Sequence, residues 1–482
     1  MLFTLVAYFL LLMLIASRAT KKNDNDTFFR AGRRSPWWMV AFGMIGASVS
    51  GVSFISVPGW VGGTGMTYLQ MCAGFCFGYF AVAFILLPLY YKLRLTSIYA
   101  YLGMRYGAST HRTGAFFFLL SKLTGAAARL YLVCLVLQEF VTGPLGISYP
   151  VTAALTLLLI WSYTQRSGTA ALVRTDAIQT ACLLLAMIAL IVVASHQLNL
   201  DFSGVCTTIN ESPMFRIFEW DPSSKQAFWR QFLSGIFIVI VMTGLDQDMM
   251  QKNLTCRTLK EAQKDMCSYG LCFLPVNFLL LALGILLHAL YTQNGMTIPA
   301  ASDDLLPHLI SSGALGAFVI IPFTIGIVAA AFSSADSALT ALTTSFSVDL
   351  LKVEDRNYTE EKANRVRRTV HVFMAFALFL CILAIHAIGS QNVIDTIYVI
   401  AGYTYGPLLG LYTFGLVTKR AVHDRWVPAI ALVSPIICGV LDYLAPRLWN
   451  YHFGYELLML NGILTFIGLC LISKHQKLIP QP

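Results

Sequence analysis

The stretch Gly46-Ala-Ser-Val-Ser-Gly-Val-Ser-Phe-Ile-Ser-Val-Pro58-Gly59 decides how the chain is read. It lies in an apolar run, 37–62, long enough to cross a bilayer as a helix, yet glycine, serine and proline at this density are poor material for a continuous one. A broken span is expected. Irregular backbone at membrane depth is tolerated where it lines a cavity, and the carbonyls it frees are natural ligands for a small hard cation. The alternative is a face of small residues that lets helices approach closely.

Outward from this stretch the same character continues. The 482 residues are 57% hydrophobic and 12% charged, and the mean hydropathy is +0.68, which describes one polytopic membrane domain. Apolar runs predict thirteen spans, near 1–17, 37–62, 66–91, 114–141, 149–164, 176–195, 228–250, 267–291, 315–348, 370–388, 393–417, 427–444 and 457–473. No segment between them has room for a soluble catalytic or sensor domain. The first run lacks a basic leader and is followed by positive charge, so it reads as a retained helix and not as a signal peptide.

With the N-terminus outside and the C-terminus cytoplasmic, the positive-inside rule sorts the 33 lysines and arginines cleanly. Only Arg216, Lys225, Arg230 and Arg447 fall outside, while Lys122 and Arg129 lie within the fourth span. The remainder, Lys252 and Arg367 among them, sit in inside loops. The net charge of +9 is therefore topology and not a nucleic-acid surface. Of eleven cysteines only Cys206 lies in an outside loop, so they read as packing residues in a multi-pass protein of the inner or plasma membrane. A monomer or weak oligomer in the lipid bilayer is expected.

The seventh span ends in Thr243-Gly-Leu-Asp-Gln-Asp-Met-Met-Gln251-Lys252, where Gly244 offers a second break. Breaks five spans apart suit a five-plus-five inverted repeat with the binding site between its halves. The expected organisation is a leading helix and inside loop over 1–36, repeats over 37–195 and 228–417, and trailing helices over 427–482.

Chemistry concentrates in Ala329-Ala-Ala-Phe-Ser-Ser-Ala-Asp-Ser-Ala-Leu-Thr-Ala341. As a helix it places Ser333, Asp336, Ser337 and Thr340 on one polar stripe with Ser334 beside it. A mid-span carboxylate marks a substrate, ion or proton pathway, whereas hydroxyls alone could serve as helix glue. Arg129, deep in the fourth span, pairs with a carboxylate, snorkels, or receives an anionic substrate. Asp176 lies where the loop Tyr163–Gln179 leads into the sixth span, at or near its inner end, and by itself reads as an ordinary acid at a helix N-terminus.

Together these blocks resemble the sodium:solute symporter family over nearly the whole chain. The resemblance is carried by Gly46–Gly59, by Gly168-x6-Thr175-Asp-x-x-Gln179, by Gln247-Asp-x-x-Gln251-Lys, and by Ala329-Ala-Ala-Phe-Ser-Ser334. It implies an all-α, LeuT-like fold with one leading and two trailing helices. It also implies a secondary active transporter, not an enzyme, that brings a small organic solute into the cell with Na+. A principal sodium site is implied at the carbonyls of Gly46, Val49 and Ala330 and the hydroxyls of Ser333 and Ser334. Some members have a second sodium site, which would involve Asp176, Ser333, Asp336 and Ser337. A carboxylate at 336 replaces a hydroxyl of the family pattern, so Asp176 and Asp336 either bind a cation or share a proton.

Sialic-acid carriers resemble the chain in hydroxyls matching Ser48, Ser50 and Ser53, while their substrate arginine aligns nearer Gly125 than Arg129. Tyr68 and Cys72, near the outer end of the third span, complete the expected solute contacts. Sugar, acidic sugar, amino acid and carboxylate all remain open as the solute. A proton-coupled carrier and a transporter-like solute sensor are the alternatives. Motifs for intramembrane hydrolysis, such as His-Glu-x-x-His, are absent from the sequence.

Overall fold

The computed structural model describes residues 2–19, 28–29, 33–353, 356, 358–388 and 393–477. Lys21, Lys22 and Arg30, assigned above to the first inside loop, lie outside the described residues. Fourteen helices carry the fold here: α1 (Leu2–Ala19), α2 (Trp37–Ser48), α3 (Gly51–Thr64), α4 (Tyr68–Ala81), α5 (Ala108–Leu137), α6 (Tyr149–Gln197), α7 (Phe228–Val239), α8 (Gln247–Asn253), α9 (Leu259–Gln293), α10 (Ile320–Ser345), α11 (Glu360–Ile388), α12 (Val393–Val417), α13 (Val427–Trp449) and α14 (Leu457–Leu471). A short antiparallel pair, β1 (Arg420–Val422) with β2 (Ser473–Lys477), ties the connection between α12 and α13 to the segment that follows α14.

Both expected breaks are present. The axes of α2 and α3 differ by 57° across Val49 and Ser50, and those of α7, extended by a π-helical turn Ile240–Gly244, and α8 differ by 69°. Ser50 is extended, at φ −67° and ψ 171°, which ends α2 while leaving Ser50 as the N-cap of α3. Pro58 sits inside α3, so it is the Ser-Val-Ser-Gly segment and not the proline that makes the break. Around them α10 is central: 94% of its apolar stretch is buried, against 22% for α11 and for the helix containing α13, which form part of the rim. Glycine sets the closest approach of α4 to α7. A Cβ on Gly74 would lie 2.1 Å from the carbonyl of Phe232, and one on Gly235 would lie 2.3 Å from that of Met71.

The expected count of thirteen is not established by length and hydropathy. Among the described residues seven helices qualify as spans, nine when each bent pair is one span, and Val6–Ile15 and Leu457–Leu471 are shorter apolar helices. The expected loop Tyr163–Gln179 is a correction of substance, because every residue of it has helical backbone within α6. Its two halves nonetheless run in opposite directions. Tyr149 stacks on His386 and Thr164 bonds to His371, so the first half lies antiparallel to α11. Asp176 meets Ser333 and Ala186 meets Gly326, so the second half lies antiparallel to α10. Since α10 and α11 form a hairpin, with Thr343 bonded to His371, the run folds back near its middle. Its polar residues are helical because they have partners: Thr164 bonds His371 at 2.9 Å, and Thr169 donates to the carbonyl of Phe28 at 2.7 Å.

Two of the supposed loop cations are also not in solvent. Lys252 on α8 is 2% exposed and Arg367 on α11 is 1% exposed, with its guanidinium over the Phe28 ring. Hydropathy puts a lysine in the nearest loop, whereas a carboxylate on a neighbouring helix can hold it inside.

Candidate solute cavity and cation site

The break after α2 frees a run of carbonyls. The N–H groups of Ser50, Gly51, Val52 and Ser53 make no backbone hydrogen bonds to the carbonyls of Gly46, Ala47, Ser48 and Val49, as they would in a continuous helix. Ser334 of α10 faces this gap, its Oγ donating to the Ala47 carbonyl at 3.2 Å. Gly46 is held against α6, where a Cβ would lie 2.1 Å from Thr180 Oγ1, so only glycine allows the break so close. Ser334 thus meets the carbonyls at the end of α2, and Ala330 lies one helical turn before it on α10.

One residue back, Ser333 turns its hydroxyl to Asp176 Oδ1, at 2.8 Å. Asp336 lies one helical turn beyond Ser333 and is fully buried. Its Oδ2 accepts from the Tyr163 hydroxyl at 2.8 Å and its Oδ1 from Ser337 at 3.3 Å. The expected grouping of Asp176, Asp336 and Ser337 is therefore one neighbourhood spread over α6 and α10. On α1, Phe9 sets its ring edge-on to those of Tyr163 and Phe332, and Tyr8 is buried, so the leading helix seals this side.

A chain of buried charge runs from this neighbourhood to the second break. Lys252 Nζ stands 2.8 Å from Asp176 Oδ2 and 4.0 Å from Asp248 Oδ1. Lys122 Nζ on α5 stands 2.7 Å from Asp248 Oδ2 and 3.2 Å from Asp246 Oδ2. Asp246 caps α8 through the amides of Asp248 and Met249, and also accepts from the Tyr405 hydroxyl. Sequence reasoning missed the role of Asp246, Asp248, Lys122 and Lys252. The available signal was the i, i+4 spacing of Asp248 and Lys252, which puts both on one helical face.

Between the two breaks lies a cavity. It is lined by Ser48, Ser50 and Ser53 from the first break, by Thr243, Asp246 and Asp248 from the second, by Lys122, Gly125 and Arg129 of α5, and by Tyr79, Tyr269 and Tyr398. Ser48 is already committed, sharing a short hydrogen bond with the Tyr269 hydroxyl, which in turn accepts from Tyr79 at 2.6 Å. A Cβ on Gly125 would meet nothing within 4 Å, so that face of α5 is open space. Arg129 makes no ion pair or hydrogen bond among the described residues, in contrast to Lys122.

Tyr68 and Cys72 do not line this cavity. Cys72 is fully buried in the packing of α4. Tyr68 shares a 3.0 Å hydrogen bond with Tyr398 and lines a separate hollow with Trp60, Gln226 and Tyr455, so the two tyrosines form the partition between the spaces.

A model of the sodium:solute symporter family matches residues 28–424. The chain belongs to that family. It is a sodium-coupled carrier of a small organic solute and not an enzyme, as the resemblance implied. The symporter is 26% identical over 472 residues to the sodium/sialic acid symporter NanT of Aliivibrio fischeri, covering 93% of this chain and 88% of that one. It is also 26% identical over 415 residues to the sodium-dependent multivitamin transporter of Oryctolagus cuniculus, with 83% of this chain and 63% of that one covered. The symporter's fold is similar to the solved structure of a substrate-bound, outward-open Na+-coupled sialic acid symporter, at TM-score 0.82 and 21% identity over 98% of both chains. The LeuT-like helical class is thereby borne out.

Proposed function

We propose that the chain couples the entry of a small organic anion to that of sodium, with the anionic group of the solute held by Arg129. The observation that carries this reading is the free guanidinium in the cavity. The buried cations nearby, Lys122 and Lys252, are each ion-paired with a carboxylate, whereas the half-buried Arg129 feels Asp248 only at longer range and is left for a partner that arrives from outside. An unpaired charge in a partly dry cavity is costly, and a carboxylate on the solute relieves that cost by a two-pronged, charge-assisted pair. Ser50 and Ser53 make no side-chain hydrogen bonds among the described residues and would bind the solute's hydroxyls or amides.

The principal sodium site in this reading comprises the carbonyls of Gly46, Val49 and Ala330 with the hydroxyls of Ser333 and Ser334. Neutral oxygens suit a small hard ion because none brings a fixed charge that would have to be neutralised after release. Asp176, Asp336 and Ser337 form the second, charged site. Repeats over 37–195 and 228–417 would move against each other around the cavity, with the N-terminus outside, the C-terminus cytoplasmic, and the carrier working in the inner or plasma membrane as a monomer or weak oligomer.

Uptake into proteoliposomes under an inward sodium gradient tests this. Sialic acid, the solute of a relative, is the first candidate, followed by smaller carboxylates with their neutral amides as controls. An anion accumulated by the wild type should be taken up at least tenfold less efficiently by Arg129→Gln, and the neutral analogue should not discriminate the two proteins. Equal transport of acid and amide by the wild type would overturn the assignment of Arg129.

A further inference from the structure

We propose that the Lys252 ammonium is a tethered cation filling the second cation site beside Asp176, so that the carrier holds one sodium ion and supplies the second positive charge itself. This rests on the sodium-coupled reading above and specifies what occupies its charged site.

The geometry of Asp176 leads to it. One oxygen of this carboxylate accepts from Ser333 at 2.8 Å, and the other is ion-paired with Lys252 Nζ, 2.8 Å away. Asp176 is 1% exposed and Lys252 2% exposed, so neither charge is shared with bulk water. A sodium ion at Asp176 would have to displace an ammonium that is covalently attached and cannot diffuse away. Its own replacement partner, Asp248, already has Lys122 at 2.7 Å. Charges therefore alternate from Lys122 through Asp248 and Lys252 to Asp176, with Asp336 beyond accepting from Tyr163 and Ser337, and an extra cation at Asp176 would stand beside the Lys252 ammonium and be repelled by it.

Placement of the lysine has a second consequence. Lys252 is on α8, the short helix beyond the second break, while Ser333 is adjacent to Ser334, which faces the first break. A movement of α8 draws the ammonium from Asp176 and frees the carboxylate that holds Ser333. The tethered charge thus joins the solute cavity, which Lys122 and Asp248 line, to the helix that carries the sodium-binding hydroxyls.

Equilibrium binding of radioactive sodium to the purified full-length protein tests the proposal without needing the solute. Wild type is expected to bind one ion with a Hill slope near one. Lys252→Ala should bind about two, because the vacated ammonium position leaves Asp176 and Asp248 facing a space of cation size. Lys252→Gln keeps a donor to Asp176 without the charge and serves if the alanine variant does not fold; it too should bind a second ion. Lys252→Arg should remain at one, as should Lys252→Ala combined with Asp176→Asn. Two ions on the wild type, or one ion on a folded Lys252→Gln, would overturn the tethered cation while leaving sodium coupling intact. No sodium on the wild type overturns the sodium-coupled reading and this inference with it.

Discussion

The two broken helices meet the same cavity with opposite chemistry. At the first, Gly46 to Ser50, the chain presents carbonyls and hydroxyls and no charged side chain. At the second, Leu245 and Asp246, it presents Asp246, Asp248 and Lys252, each paired within the protein. A neutral break leaves the charge to whatever ion arrives, so it can fill and empty. A break that brings matched ions has its charge built in and acts as a jointed electrostatic lock. In the proposed reading, helix unwinding makes an ion site at the first break because its freed dipoles lack an internal charge to satisfy them.

The largest effect should follow from breaking the charged side. Asp248→Leu leaves Lys122 and Lys252 short of a carboxylate in a buried setting, which costs about 3–5 kcal/mol where one partner of a buried pair is removed. Thermal unfolding in detergent should show a marked fall in midpoint and yield. Ser334→Ala, at the neutral side, should leave both close to wild type. Similar destabilisation by the two substitutions would remove the distinction between the breaks.

Next in size is the effect of Ser334→Ala on sodium. The hydroxyl now donates to the Ala47 carbonyl and in the proposed site turns a lone pair to the ion. A hydrogen-bond-like contact to a charged partner contributes about 1.5 kcal/mol, or roughly tenfold in affinity. Half-saturation of uptake by sodium should rise by that factor at unchanged expression. An unchanged sodium requirement counts decisively against the principal site.

Third comes the cavity itself. Because a side chain at Gly125 meets open space, Gly125→Val should fold normally and yet occupy room the solute needs. Apparent solute affinity should fall by roughly tenfold or more, taking about 1.4 kcal/mol per decade, with little change in the sodium requirement. Wild-type solute affinity in this variant would place the solute elsewhere.

These contrasts also show what the sequence could and could not disclose. Both breaks were legible because glycine and serine density is a local property of the backbone, and Gly46–Gly59 and Gly244 carry it. The hydroxyl stripe from Ser333 to Thr340 was legible from helical spacing. The fold-back inside α6 was legible too, as the two apolar runs 149–164 and 176–195, but the helical backbone between them was not, because Thr164 and Thr169 read as loop until His371 and the Phe28 carbonyl, far away in sequence, supply their bonds. Lys252 was hidden for the same reason. A lysine at the end of an apolar run looks like an inside-loop anchor, and only the tertiary approach of α6 to α8 shows that Asp176 holds it within the protein.

The smallest expected effect lies at the partition between the cavity and the second hollow, and it separates the solute path from the ion site. Tyr68 and Tyr398 share one hydrogen bond of 3.0 Å, with Tyr68 edge-on to Trp60 on one side and to Phe75 on the other. Tyr68→Phe keeps both ring contacts and deletes only the hydroxyl. A hydrogen bond of this kind has a net worth of about 1 kcal/mol, so the partition should open about fivefold more often if closing depends on it. Ser53→Cys, in a background lacking the native cysteines, reports that opening as its rate of labelling by a thiol reagent added from the Trp60 side. The rate should rise severalfold with Tyr68→Phe and be slowed by saturating solute in both backgrounds, while sodium half-saturation stays where it was. An unchanged labelling rate would mean that the tyrosine pair closes nothing. A shifted sodium requirement would mean that the partition reaches the cation site, and the two breaks could then no longer be treated as separately addressable.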